Sequence, residues 1–246
     1  MPFKDGDFLL VDYTLVVKET NELIVTTRAE DAKRYGKYRE EETYGPRLVI
    51  LGEGLLLKSV EEEIKKMKEG EERTFTLPPE KAFGKRDMKK IRIISVRELH
   101  RRGIVPRLNT MIELDGRRGV IKSVGGGRVV VDFNHPYAGK HIICYIKVIR
   151  KIENLNDKVK ALIQRRMPGV DIKNVKVEVA DNEVKIAFPK EVLYTSQIHK
   201  VKLGLLTDIA RHIPEIYTVT FIERFELRKP EKIKEETKAK AGAEQA

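Results

Sequence analysis

The chain has 246 residues, 41% hydrophobic and 35% charged, with no tryptophan, one cysteine and a formal net charge of +11. That length suits about two domains, and the lone Cys144 excludes an internal disulfide and fits a reducing, cytoplasmic compartment. No apolar run approaches the roughly 18 residues needed to span a bilayer, so no membrane partner is expected, and the dense Lys, Arg and Glu fit a thermophile.

In chain order, FLLVDYTLVV is apolar and β-branched but interrupted by Asp12, which reads as a strand and not a signal peptide. KETNEL turns the chain into a second strand, IVTTR. Residues 29–46 read as a short helix and a loop ending in Gly-Pro. RLVILGEG is a strand stopped by two glycines. In SVEEEIKKMKEGEE, Ser59 reads as a helix N-cap, Glu61, Glu62 and Glu63 as acids favoured by the helix dipole, and Gly70 as the terminator. Val60, Ile64 and Met67 give that helix one apolar stripe. RTFTLPP is a strand ended by two prolines.

The composition changes at Lys85. From Lys85 to Val131 there are thirteen Lys and Arg against four Asp and Glu, a net +9, so most of the excess charge lies in one segment. Such a field either attracts nucleic acid, the ribosome included, or acidic polypeptides, or is simply the solvated surface of a thermophile protein. IRIISV is a short strand and RELHRRG a short helix closed by Gly103. TMIELDGRRGVIKSVGGGRVVVDF is hairpin material, with Asp115-Gly116 supplying positive φ angles for a tight reversal. The triple glycine is a second turn and not a phosphate loop, because no helix follows it. HIICYIKVIRKI is a strong final strand. Between these last strands stands Asn134-His135-Pro136, which suits either a structural turn or the rim of a pocket.

A second rhythm begins near residue 153. NLNDKVKALIQRRMPG is an amphipathic helix capped at Asn156, NVKVEVADNEVKIAFP a hairpin around Asp181-Asn182, SQIHKVKLGLLTDIARHIP a longer helix, and EIYTVTFIERFEL a strand. From Lys229 onward the chain is nearly free of apolar residues and reads as a frayed helix or disordered tail.

Conventional catalytic signatures are missing. The five histidines lack zinc-motif spacing, His199 and His212 read as surface or edge residues, and no G-x-S-x-G, P-loop or dinucleotide glycine pattern occurs. No metal and no cofactor is expected. A reaction that needs no nucleophile is the one to consider.

Four stretches, in order, resemble the FKBP-type prolyl isomerases, in particular the SlyD-like and long archaeal members: VDYTL with Tyr13, LGEGLLLKSVEEEIKKMKEGEE, LPPEKAFGKRD and VDFNHPYAGK. The resemblance implies an α+β fold: an antiparallel sheet wrapped on one helix, an inserted small β-rich flap domain, and a C-terminal α+β domain. The implied domains are 1–84 with 134–152 for the isomerase, 85–133 for the insert-in-flap chaperone domain, 153–229 for the C-terminal domain and 230–246 for a charged tail. By position, the family's catalytic pocket maps to Tyr13, Val25, Leu56, Leu57 and Phe83, with Ile24, Val60, His135, Tyr137 and Cys144 as substrate contacts. Asn134-His135-Pro136 becomes the return from insert to isomerase sheet.

The resemblance also implies the chemistry. Rotation about X-Pro is opposed by amide resonance, a barrier of about 18–20 kcal/mol. An apolar, water-poor hollow favours the less dipolar twisted amide, and needs no catalytic acid. Several positions depart from the family pattern. Ile24-Val25 replaces a common Phe-Asp, Lys58-Ser59 a Pro-Gly-like pair, Val60 and Cys144 aromatics, and Phe83 a common Tyr. These departures imply a shallower, less aromatic hollow and weak catalysis, so the expected function is a prolyl isomerase and folding chaperone. Its alternative is a catalytically degenerate holdase or a ribosome- or RNA-associated binder. The expected partners are unfolded or proline-containing polypeptides, with Ile91, Ile93, Ile94, Met111 and Ile112 of the insert as client-binding positions where an extended chain adds as a strand.

Overall fold

The computed structural model describes residues 2–195 and 197–225. These form two compact units, divided after Ile152. The expected charged tail lies outside the described residues.

The first unit opens with β1 (Phe8–Val17), β2 (Glu22–Thr26), α1 (Ala29–Arg34), β3 (Arg47–Ile50), α2 (Lys58–Ile64) and β4 (Glu72–Leu77). The insert follows as β5 (Ile91–Ser95), α3 (Val96–Arg101), β6 (Met111–Leu114), β7 (Arg117–Gly125) and β8 (Arg128–Asp132), and the unit closes with β9 (Ile142–Ile152). β1 pairs along its whole length with β9, which pairs on its other side with β4. The other edge of β1 is shared, β3 taking Phe8–Val11 and β2 taking Thr14–Val17. All of these pairings are antiparallel.

Alternation decides the inner face. Leu9, Val11, Leu15 and Val17 of β1 and Ile142, Cys144, Ile146 and Val148 of β9 point one way and are buried with Val60, Ile64 and Met67. Each of those last three side chains is wholly excluded from solvent, a gain of about 1.5–3 kcal/mol apiece. A sheet wrapped on one helix is therefore the observed architecture.

Two details of α2 differ from the sequence reading. The N-cap is Leu57, at φ −56° and ψ 136° and without a side-chain cap bond, so Ser59 lies inside the first turn. The helix ends at Ile64, ahead of Gly70, which takes φ +75° in a later turn and donates its N–H to the Val148 carbonyl at 2.8 Å.

The insert has its own antiparallel sheet, in the order β5-β8-β7-β6, and its own core of Leu99, Ile112, Leu114, Ile121, Val129 and Val131. The Asp115-Gly116 reversal has φ values of 51° and 72°, the two left-handed positions a tight hairpin needs. At Gly119 a Cβ would stand 2.8 Å from Phe133 and Val131 side-chain atoms, so the missing side chain lets β7 pass close to that ring.

The second unit contains α4 (Leu155–Arg166), β10 (Lys176–Ala180), β11 (Glu183–Ala187), α5 (Lys190–Leu193), α6 (Ile198–His212) and β12 (Thr218–Ile222). β10 and β11 form the expected hairpin, and β12 pairs parallel to β11 after the helical crossover. The cap of α4 is Asn154, not Asn156. Asn154 Oδ1 accepts from the Asn156 and Asp157 N–H groups, while Asn156 Oδ1 accepts from Val179 N–H at 2.9 Å. Buried Asp208 of α6 accepts two bonds from Arg166, at 2.6 and 2.7 Å, and pairs with Arg165 at 3.0 Å. Among the described residues no helix is long and apolar enough to cross a membrane.

Candidate active site

Beside α2, partly buried Tyr13, Ile24, Leu56, Leu57, Phe75, Ala82, Phe83 and Tyr137 pack against the main core. Each is placed by an identifiable local cause.

Tyr13 is held through Thr27, which is buried. Thr27 Oγ1 accepts from Tyr13 N–H at 3.0 Å and donates to Asp12 at 2.8 Å, and its own N–H donates to the Tyr13 carbonyl at 2.9 Å. Burial pushes the Tyr13 phenol up, an effect Arg47 partly offsets, and no described residue hydrogen-bonds its hydroxyl. A neutral donor is thus available at the rim.

Ile24 is the extra residue of a β-bulge. Leu15 pairs with Val25 and Val16 with Leu23, so Ile24 has no partner in the ladder. Bulges re-aim side chains, and this one sets Ile24 against the core while Val25 is left 41% exposed outside the cluster.

Leu56 and Leu57 end the loop between β3 and α2. Its anchor is Glu61, whose carboxylate accepts from Gly52 N–H at 2.9 Å and Leu56 N–H at 3.3 Å and is 4% exposed. The dipole reading of Glu61 is incomplete, since it also fixes the loop. An acid in the first turn of the helix that follows a glycine-rich stop was the available signal. Gly52 has φ +86°, and a Cβ there would meet Asp5 Oδ1 at 2.7 Å, so this anchor requires glycine.

Phe83 follows the turn that begins at Pro78-Pro79 and is closed by Gly84 N–H on the Pro79 carbonyl at 2.7 Å. Its ring stacks on His135 with centroids 4.5 Å apart and 3° between planes, and Tyr137 stands 5.4 Å away at a tilt. Tyr137 donates to Glu22 Oε1 at 3.3 Å, tying the return loop to β2. His135 is therefore both a turn residue and part of the rim.

The junction with the insert is stitched by Asn134. Its Nδ2 donates to the Asp87 carbonyl at 2.9 Å and to Asp132 Oδ1 at 2.8 Å, and its Oδ1 accepts from Asp87 N–H at 2.9 Å. Arg86 donates to Asp132 Oδ2 at 2.7 Å. Burial disfavours charge on Asp132, but the bonds from Asn134 and Arg86 outweigh it and hold the carboxyl below its usual range. The backbone adds Phe133 N–H to Lys90 O at 3.0 Å and Gly139 N–H to Gly84 O at 2.8 Å.

Two of the expected substrate contacts sit deeper than the surface. Val60 and Cys144 have no exposed area and belong to the core on which those side chains pack, where burial raises the Cys144 thiol to about 12. Of the insert positions, Ile93 and Met111 are exposed at 67% and 59%, and Ile91 and Ile94 are half-buried. Ile112 is 6% exposed in the insert core, so alternation along β6 turns it inward, away from any client surface. Ile93 and Ile94 line an open cleft of about 500 Å³ with Arg92, Arg102, Arg117 and Phe133. β5 and β6 are the two edges of the insert sheet. Phe75, Ala82 and Thr27 are contributors the sequence reading did not assign to the site. Among the described residues no cluster of metal-ligating side chains occurs.

Three family models match the chain: FKBP-type peptidyl-prolyl cis-trans isomerase over residues 2–99, the FKBP26 IF domain over 92–137, and the FKBP26 C-terminal domain over 155–226. The short-type peptidyl-prolyl cis-trans isomerase of Methanocaldococcus jannaschii is 37% identical over 145 residues, covering 59% of this chain and 91% of that protein. The FKBP-type 16 kDa peptidyl-prolyl cis-trans isomerase of Escherichia coli K12 is 32% identical over 146 residues, covering 57% and 88% respectively. Among solved structures, the three FKBP domains of wheat FKBP73 align at 13% identity and a TM-score of 0.32 over 63% of this chain and 42% of that one, too loosely to bear on the site.

Proposed function

The chain belongs to the FKBP-type peptidyl-prolyl cis-trans isomerase family and is an isomerase, and from that premise we propose that it acts on X-Pro bonds of unfolded polypeptides and holds those polypeptides through its insert. The observation that carries the catalytic part is the cluster of partly buried side chains Tyr13, Ile24, Leu56, Leu57, Phe83 and Tyr137 packed on the core that α2 shares, which this reading takes as the edge of an apolar hollow.

The chemistry asks little of side-chain acids and bases. The planar X-Pro amide is the more dipolar state, and water stabilises it. Apolar walls that displace water favour the twisted state, which is differential binding of the transition state. The Tyr13 hydroxyl is available to donate to a substrate carbonyl and fix its position. Phe83 offers a flat wall to a proline ring but has no hydroxyl of its own.

The holding activity is supported by exposed Ile93 and Met111 and by the cleft beside Ile93 and Ile94. Two free sheet edges offer backbone groups to an extended client. The net +9 of the Lys85–Val131 segment supports a second partner class, ribosomal or other RNA. The single buried cysteine supports a cytoplasmic setting.

A protease-free isomerisation assay on a proline peptide, with Tyr13→Ala as control, tests the first activity. Suppression of client aggregation by the protein and by an Ile93→Asp/Met111→Asp variant tests the second. Equal suppression by both proteins would remove those two residues from the client surface. RNA binding that weakens steeply with salt would support the nucleic-acid partner.

A further inference from the structure

We propose that the cleft at the junction of isomerase sheet and insert is an anion subsite, which takes an acidic side chain of the polypeptide whose proline occupies the hollow. This deepens the isomerase reading and rests on it.

The cleft measures about 190 Å³ and is lined by Arg86, Lys122, Asp132, Asn134, His135 and Lys140, with Val120, Pro136 and Ala138. Its one carboxylate is already engaged. Asp132 accepts from Arg86 at 2.7 Å and from both Asn134 nitrogens at 2.9 and 2.8 Å. Arg86 is matched by that same pair. Lys122 and Lys140 have no carboxylate partner among the described residues, although Lys140 Nζ lies 5.8 Å from the Tyr137 ring centre. Two cations therefore face the cleft without an acid to balance them.

Size narrows the ligand. Small-molecule pockets start at about 300 Å³, so this cleft suits a single side chain better than a nucleotide. Position narrows it further. His135 lines the cleft and also stacks on Phe83 of the hollow, so the two sites share one residue as a wall. An extended chain advances about 3.3 Å per residue. A peptide with its proline against Phe83 therefore reaches the cleft within a few residues. The walls come from the insert through Lys122 of β7 and from the return loop through His135 and Lys140, so an acid bound there would touch both parts of the unit at once. Paired charges at partly exposed sites select partners more than they add affinity.

The test uses a set of peptides with one X-Pro bond and with Glu, Gln or Lys placed at one to three residues on either side of it. Acidic peptides are expected to exceed their lysine counterparts in kcat/KM by about fivefold at low salt, from one exposed and one half-buried cation. That advantage should shrink at about 1 M salt and disappear in the full-length Lys122→Glu/Lys140→Glu variant, with the glutamine peptides turned over as before. Equal turnover of acidic and basic peptides, or a preference that survives the double reversal, would overturn the subsite. Direct binding of the same peptides separates the two readings. Absence of turnover with every peptide removes the isomerase reading, whereas equal affinities for acidic and basic peptides remove the subsite. A short RNA whose binding alone is lost in the double variant, with no charge preference among peptides, would assign the cleft to nucleic acid and overturn the proposal.

Discussion

Phe83 and His135 lie face to face, 4.5 Å between ring centres and 3° from parallel, although 52 residues of sequence separate them. The stack joins the end of the first half of the isomerase sheet to the loop that returns from the insert, and it forms one wall of the hollow. Aromatic pairs of this geometry contribute about 0.5–1.5 kcal/mol beyond their buried area. Phe83→Ala is expected to lower kcat/KM for a proline peptide by about tenfold, equivalent to ~1.4 kcal/mol of transition-state stabilisation. Phe83→Tyr keeps the ring and should hold the rate or raise it. An isomerisation assay that finds Phe83→Ala at full activity would deny this residue its place in the wall.

Glu61 makes a different prediction, about stability. Its buried carboxylate satisfies two backbone N–H groups of the loop that ends in Leu56 and Leu57. Removing it leaves both donors unpaired, at about 1–3 kcal/mol each where water cannot reach. Glu61→Ala should lower the thermal midpoint and reduce turnover together, and Glu61→Gln, which keeps one acceptor, should do less of both. Calorimetry with a parallel activity measurement checks this.

Acid should weaken the second unit through Asp208. Burial opposes its charge, but bonds and charges from Arg166 and Arg165 prevail and hold its carboxyl below the ordinary range. A depressed folded value means that stabilisation is present above the unfolded value of about 3.9 and is lost as pH falls through the lower folded one. Unfolding free energy measured from pH 6 to 2 should therefore drop on its acid side, and Asp208→Asn should flatten that part of the curve. An unchanged acid limb in the variant would show that other carboxylates set it.

Cys144 supplies a built-in reporter of opening. Burial raises its thiol to about 12, and it has no exposed surface. Thiol reagents should leave the folded protein unmodified at pH 8 and react fully in denaturant. Because the folded value is raised, its contribution to stability is whole below the unfolded value of about 8.5 and is eroded as pH climbs toward 12. Rapid labelling of the native protein at pH 8 would place the thiol outside the core.

Much of the frame was legible before any coordinates. The Val60, Ile64 and Met67 stripe, the Asp115-Gly116 reversal and the charge shift near Lys85 each follow from periodicity, turn chemistry or composition. What escaped were choices made by tertiary packing. Ser59 and Asn156 are good capping residues, yet Leu57 and Asn154 hold those positions, because burial of the stripe and the pairing of Asn156 with β10 fix where each helix starts. Ile112 looks like any exposed strand isoleucine until the register of β6 on β7 turns it inward. Thr27 and Glu61 carry their roles through backbone groups elsewhere in the chain, and a string of side chains does not reveal where those amides lie. The hollow itself was reached by resemblance; its residues taken singly are ordinary core residues.

The two chain crossings at the neck of the insert lie side by side, Gly84 bonded to Gly139 and Lys90 to Phe133. A loop whose ends meet in this way behaves as a detachable cassette. Shortening or exchanging everything between those bonds is expected to leave the pairing of β1 with β9 and of β9 with β4 intact.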